Sequence, residues 1–145
     1  MTSWRDTASE AAQDDLDGLL NNALPFAQQM LEKNGEFYPY GVAFDETGEH
    51  RMIAGDPDGS EHPPSLEVLA ILVEGMRSQR RELRAVALVS DVRLADSDAI
   101  RVELEHREGP CMAVVLPYRT RRMRRGVEFG ALAAASGNPQ VWSGP

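Results

Sequence analysis

A chain of 145 residues with 42 % hydrophobic content is long enough to bury one sizeable core, and a single domain is expected. Its 23 acidic and 15 basic residues leave a formal charge of −8, which weighs against general binding to nucleic acid or to an anionic membrane because such a surface repels phosphate. One cysteine, Cys111, excludes an intrachain disulfide and a multi-cysteine zinc site, and the absence of an apolar leader or of about 18 consecutive apolar residues leads to the expectation of a cytoplasmic protein.

Residues 1–10 are polar and are expected to be a disordered tail. A helix follows in which Ala12, Leu16, Leu19, Leu20, Ala23, Phe26, Ala27, Met30 and Leu31 share one side and Asp17, Asn21, Gln28 and Glu32 the other. Pro25 falls on the polar side and predicts a kink, with two separate helices as the alternative; Asn34-Gly35 supplies a left-handed stop. In residues 37–45 the bulky Tyr38, Tyr40, Val42 and Phe44 alternate with Pro39, Gly41 and Ala43, as in a strand with one bare face. Asp45-Glu46-Thr47-Gly48 suits a hairpin turn, which would set Phe44 opposite His50 and Val42 opposite Met52, with Met52 inward.

Residues 55–64 read as a loop, after which Ser65 can cap a helix over residues 66–80. Leu66, Leu69, Ala70, Val73 and Met76 make its expected buried stripe. Val68, Ile71 and Leu72 widen the apolar arc beyond the roughly 100° one sheet face needs, so these three are expected to form an interface. Residues 85–118 then hold three strands in an antiparallel meander. Ile100, Val102 and Leu104 alternate with Arg101, Glu103 and Glu105 in the middle run, while its neighbours are apolar at almost every position. Arg119, Arg121, Arg122, Arg124 and Arg125 follow as a basic cluster, expected to be an exposed connection, then a short strand over 127–129 and a C-terminal tail over 131–145 that can pack on the sheet.

The order α-β-β-α-β-β-β points to a two-layer α+β domain over residues 11–130, with two helices on one face of a five-stranded antiparallel sheet. The same element order resembles that of roadblock and longin domains, which implies a strand order of 2-1-5-4-3. The runs LPFAQQML, GEFYPYG and LPYR are similar to those of a family of small uncharacterised bacterial proteins. That likeness implies a shared fold and no activity. One common core is expected, made of Leu16, Leu20, Ala23, Ala27, Met30, Val42, Phe44, Leu69, Val73, Met76, Val86, Leu88, Ile100, Val102, Leu104, Val114 and Leu116.

Reactive side chains are sparse. His50, His62 and His106 show no metal-ligand spacing, and Asp56, Asp58 and Glu61 lack the further ligands of a calcium loop, so no metal site and no cofactor are expected. Cys111 and His106 flank one turn as a nucleophile and base would, but nothing supplies an oxyanion hole or an orienting third group. Glu103 and Glu105 share a strand face beside Arg101 and are expected to be solvated. No phosphate-cradling glycine motif occurs, so no catalytic residue is assigned. The arginine cluster is the one candidate patch for an anion or an acidic partner.

These features predict a non-enzymatic protein-interaction module whose partner is another protein or a second copy. The homodimer rests on face counting: two helices on one side of the sheet leave Ala85, Ala87, Val89, Cys111, Ala113 and Val115 uncovered on the other. One rival is a small-molecule-binding protein or enzyme with a pocket near Tyr38 and Tyr40. A second is an immunity protein against a bacterial toxin, which fits the size and acidity.

Overall fold

The computed structural model describes residues 9–54, 65–120 and 126–142. The elements, in chain order, are α1 (Glu10–Asn34), β1 (Tyr40–Asp45), β2 (His50–Ala54), α2 (Ser65–Gln79), β3 (Leu83–Arg93), β4 (Asp98–His106), β5 (Cys111–Thr120), β6 (Val127–Phe129) and β7 (Ala133–Ser136). The class is α+β with an antiparallel sheet, as the patterning implies, but among the described residues the sheet has seven strands and not five. β6 and β7 lie end to end along the outer edge of β5, where β6 pairs with residues 118–120 and β7 with residues 112–115. The segment Ala133–Ser136 lacks β-branched and aromatic residues and gives no strand signal of its own; the edge of β5 organises it.

The strand order is 2-1-3-4-5-6, so the 2-1-5-4-3 order is corrected: β3, not β5, lies against β1. β3 is buried at six of its first seven positions and takes the central place that such a strand needs, flanked by β1 and β4. α2 joins β2 to β3 across β1 and packs on the side of the sheet opposite α1. The helices are not on one face. α1 packs with Val42, Phe44, Ala85, Ala87, Val89, Ile100, Val102 and Leu104, whereas Val68, Leu72 and Met76 of α2 pack with Ala43, Val86 and Leu88.

The expected common core is thus two cores. Val86 and Leu88 lie under α2, Ala85, Ala87 and Val89 lie under α1, and Leu20, Met30 and Val73 are only half-buried. The stripe of α2 runs through Val68, Leu72 and Met76, one residue from the expected phase. Gly41 lets this helix come close: a Cβ there would sit 2.3 Å from the Met76 methyl and 3.3 Å from the Ala87 carbonyl oxygen. With α2 over the second face, the face counting that predicted a dimer no longer holds.

α1 begins inside the segment expected to be a tail. Ser9 caps it by accepting from the Ala12 amide, and Gly35, at φ 77°, closes it by donating to the Leu31 carbonyl. It runs through Pro25 as one helix. The Tyr40 hydroxyl donates to the Ala23 carbonyl at 2.5 Å and accepts from the Ala27 amide, so a side chain is inserted into the helical ladder just past the proline. The β1–β2 register is the expected one, Phe44 opposite His50 and Val42 opposite Met52. Met52 nevertheless stays 57 % exposed, since α1 meets β2 at His50, at the other end of the strand, while Ile53 packs under α2. Among the described residues, no helix is long and apolar enough to cross a membrane.

Candidate functional site

Two polar centres, three clefts and two sheet edges carry the chemistry of the described surface and interior. The first centre lies at the N-terminal end of α1. Arg84 grips the carboxylate of Asp15 with two bonds, Nε to Oδ2 at 2.9 Å and Nη2 to Oδ1 at 2.7 Å. His106, 1 % exposed, places Nε2 at 2.8 Å from Asp15 Oδ2, and its Nδ1 accepts from the Glu108 amide at 3.1 Å. An acceptor at Nδ1 puts the proton on Nε2, so the ring is a neutral donor to Asp15. With both ring nitrogens engaged, this histidine has no lone pair or proton left for a substrate. Glu108 also accepts from the Ser9 hydroxyl at 3.0 Å, and the whole group ties the start of α1 to the β4–β5 turn.

Strand alternation keeps Cys111 away from this centre. His106 is opposite Ala85 on the α1 side, whereas Cys111 is opposite Glu105 on the other, so the expected nucleophile and base do not meet. The thiol lies 3.5 Å from the Gly137 carbonyl oxygen, and burial, then the charges of Glu105 and Glu103, push it away from thiolate.

Glu105 forms the second centre, and here the expectation of a solvated carboxylate face is corrected. Its side chain is buried and accepts from three successive backbone amides, Gln140 at 2.7 Å, Val141 at 3.0 Å and Trp142 at 2.7 Å. Glu103 takes the side-chain amide of Gln140 at 3.0 Å and lies 3.4 Å from Arg101. From the other side Arg77 of α2 and Arg80, just past its end, donate to the carbonyls of Gln140 and Val141 at 3.2 and 3.3 Å. The C-terminal turn is therefore pinned between sheet and helix, with Val141 fully buried in the second core.

Of the clefts, one of about 320 Å³ is lined by Glu36, Phe37, Tyr38, Asp91, Arg93 and Asp98. Next to it, Asp91 accepts from the Tyr118 hydroxyl at 2.7 Å. Burial raises the Asp91 carboxyl above its ordinary value, against the lowering effect of that hydrogen bond. Tyr118 lines a second cleft of about 310 Å³ together with Arg119 and Phe129. Tyr40 is no handle for a ligand, since its hydroxyl is buried against α1 between the rings of Phe26 and Phe37; Tyr38 is 40 % exposed. The third cleft, about 250 Å³, is an apolar groove between α1 and β7 lined by Leu20, Leu104, Met112, Val114 and Leu132, with Asp17 at its rim.

The two edges of the sheet differ. β2 carries His50 and Arg51, and Arg51 is within 3.4 Å of Asp45 and 3.8 Å of Glu82. Along β7 and its flanks, residues 130–137 read GALAAASG without a charge, and Leu132 is 50 % exposed. Among the described residues no strand pairs with the outer side of β7, and Arg101 Nη2 donates to the Ser136 carbonyl at 3.3 Å.

The structure disperses the expected sites. Val68 and Leu72, assigned to an interface, are buried within this chain's own second core, and only Ile71 of that trio remains exposed, at 38 %. Arg119 is exposed opposite Glu128, while Arg121, Arg122, Arg124 and Arg125 lie outside the described residues, as do His62, Asp56, Asp58 and Glu61. His50 lies against Phe44 with centroids 4.4 Å apart and the rings tilted by 56°, and it meets Asn22 at 3.1 Å. Among the described residues no three His, Cys, Asp or Glu side chains converge as a metal site would require. Sequence reasoning missed Asp15 and Arg84: Asp15 meets His106 across 91 residues of chain and Arg84 across 69, without any local spacing. No protein-family model, curated protein or solved structure matches this chain.

Proposed function

We propose that the protein is a non-enzymatic protein-interaction module that joins a second copy of itself through the outer edge of β7. The contrast between the two edges carries this reading. Soluble proteins protect an open strand with charge, proline or a covering segment. β2 has charged side chains and β7 has none. A second β7 is the partner that best fits such an edge. Pairing about a two-fold axis needs one self-complementary surface, and alanine side chains let two strands approach without a clash. The adjoining groove and the exposed Leu132 add apolar area that the same contact would cover. The absence of charge from 130–137 also keeps the net charge of −8 from setting like charges face to face at the contact.

Sedimentation equilibrium at micromolar concentration tests the proposal. The wild-type chain is expected at twice 16.0 kDa and the Ala134→Arg variant at 16.0 kDa. A wild-type chain that stays at 16.0 kDa throughout the accessible range overturns it. A second reading, a small cationic ligand in the cleft beside Tyr38, is favoured by the raised Asp91 carboxyl next to Glu36 and Asp98. Monomeric protein whose Asp91 and Tyr38 resonances shift on addition of simple amines would favour that reading instead.

A further inference from the structure

Independently of the β7 edge, the geometry points to a peptide-binding site on the opposite face of the sheet, occupied in cis by the chain's own turn at residues 140–142. Three features make the seat resemble a receptor for a segment more than ordinary tail packing. The Glu105 carboxylate reads three successive amides, a pattern that follows the backbone and not the side chains of the bound segment. Arg77 of α2 and Arg80, just past its end, read two carbonyls of the same turn, so the segment is held from both sides by groups that belong to the body of the domain. One fully buried side chain, Val141, supplies an apolar anchor in the second core. Gly137 is the point of departure from β7: a Cβ there would lie 2.6 to 2.7 Å from backbone atoms of Met112, so the chain crosses the strand in direct backbone contact.

The class of ligand follows from these contacts. It is a short turn with two or three unpaired amides in succession and a small β-branched apolar residue among them. A segment of that chemistry from another protein would compete with the turn at 140–142. The turn acts as a tethered competitor, whose effective concentration for a short connection is on the order of millimolar. The seat is therefore closed to micromolar peptide in the intact chain and opens when the anchor is removed.

The probe is a fluorescein-labelled, C-terminally amidated peptide of residues 138–142, and the readout is anisotropy with full-length protein. Wild type is expected to bind it at least tenfold more weakly than Val141→Asp, which ejects the tethered turn while leaving the seat intact. Adding Glu105→Gln to Val141→Asp should lower the affinity at least tenfold again. If Val141→Asp does not fold, Val141→Gly removes the anchor without adding a charge and takes its place in the same assay. A folded variant that binds the peptide no better than wild type overturns the proposal. Loss of the fold in both variants overturns it too, because the turn would then be an integral part of the domain.

Discussion

The two faces of the sheet are covered by different means. Under α1 the contact is broad and apolar: a 25-residue helix lies over β1, β3 and β4, and its main polar tie is the Arg84–Asp15–His106 group at one end. The other face is shared by a 15-residue helix and a turn of three residues, and the turn is gripped by backbone-directed groups around a single valine. The difference teaches that charge on a strand does not mark its wet side. Glu103 and Glu105 alternate with buried aliphatic residues as solvated positions would, yet they organise the second layer of the fold.

The largest effect should come from the first face. Leu104, 2 % exposed under α1, should cost about 2 to 5 kcal/mol when changed to alanine, read from the denaturant midpoint at constant slope. An unchanged midpoint would mean that α1 is not the main cover of the sheet. The second face should respond less. Gly137→Ala must push the chain off Met112, with a cost of about 1 to 3 kcal/mol as for other overpacked sites. Glu105→Gln leaves one acceptor oxygen for three amides and should cost about 1 to 3 kcal/mol, accompanied by a change in Trp142 emission. Retained stability and emission in both variants would show that the turn is not held by this carboxylate.

The smallest effect sharpens the comparison at the end of the sheet. Because Asp91 has a raised carboxyl value when folded, the folded state holds its proton more tightly than the unfolded chain. Its contribution to stability therefore falls as pH rises from the ordinary value of 3.8 through the raised one. Asp45 has the opposite sign. Its hydrogen bonds with Thr47 and Glu49 lower its value, and the stability it supplies is lost as pH drops through that lowered value. Asp91→Asn keeps an acceptor for Tyr118 and should raise stability at neutral pH by less than about 1 kcal/mol, since the group is only partly buried and solvent screens it. A clear loss would show that the ionised carboxylate is stabilising there.

Much of the fold is legible in local patterns. The β1–β2 register follows from Asp45 to Gly48, the end of α1 from Asn34-Gly35, and the meander from its turn residues and alternation. What failed to show is the face on which α2 lies. Its apolar arc is wide enough to accept two phases, and β3, apolar on both sides, fits a helix on either. Leu69 and Val73 were therefore as good a stripe as Val68 and Leu72 until the crossover over β1 selected the second. The polar centres were illegible for another reason. Asp15, Arg84 and His106 meet only through tertiary packing, and the partners of Glu105 are backbone amides, which every residue but proline possesses. The open edge at β7 left a trace only by omission, in the lack of charge from 130 to 137.

The central claim is that β7 is an edge built to be paired, and amide hydrogen exchange at residues 133–136 tests it most directly. Measured at two protein concentrations, the outward-facing amides of β7 should exchange slowly at the higher and rapidly at the lower, while those of β2 exchange alike at both. Equal, rapid exchange of the β7 amides at both concentrations would contradict the account.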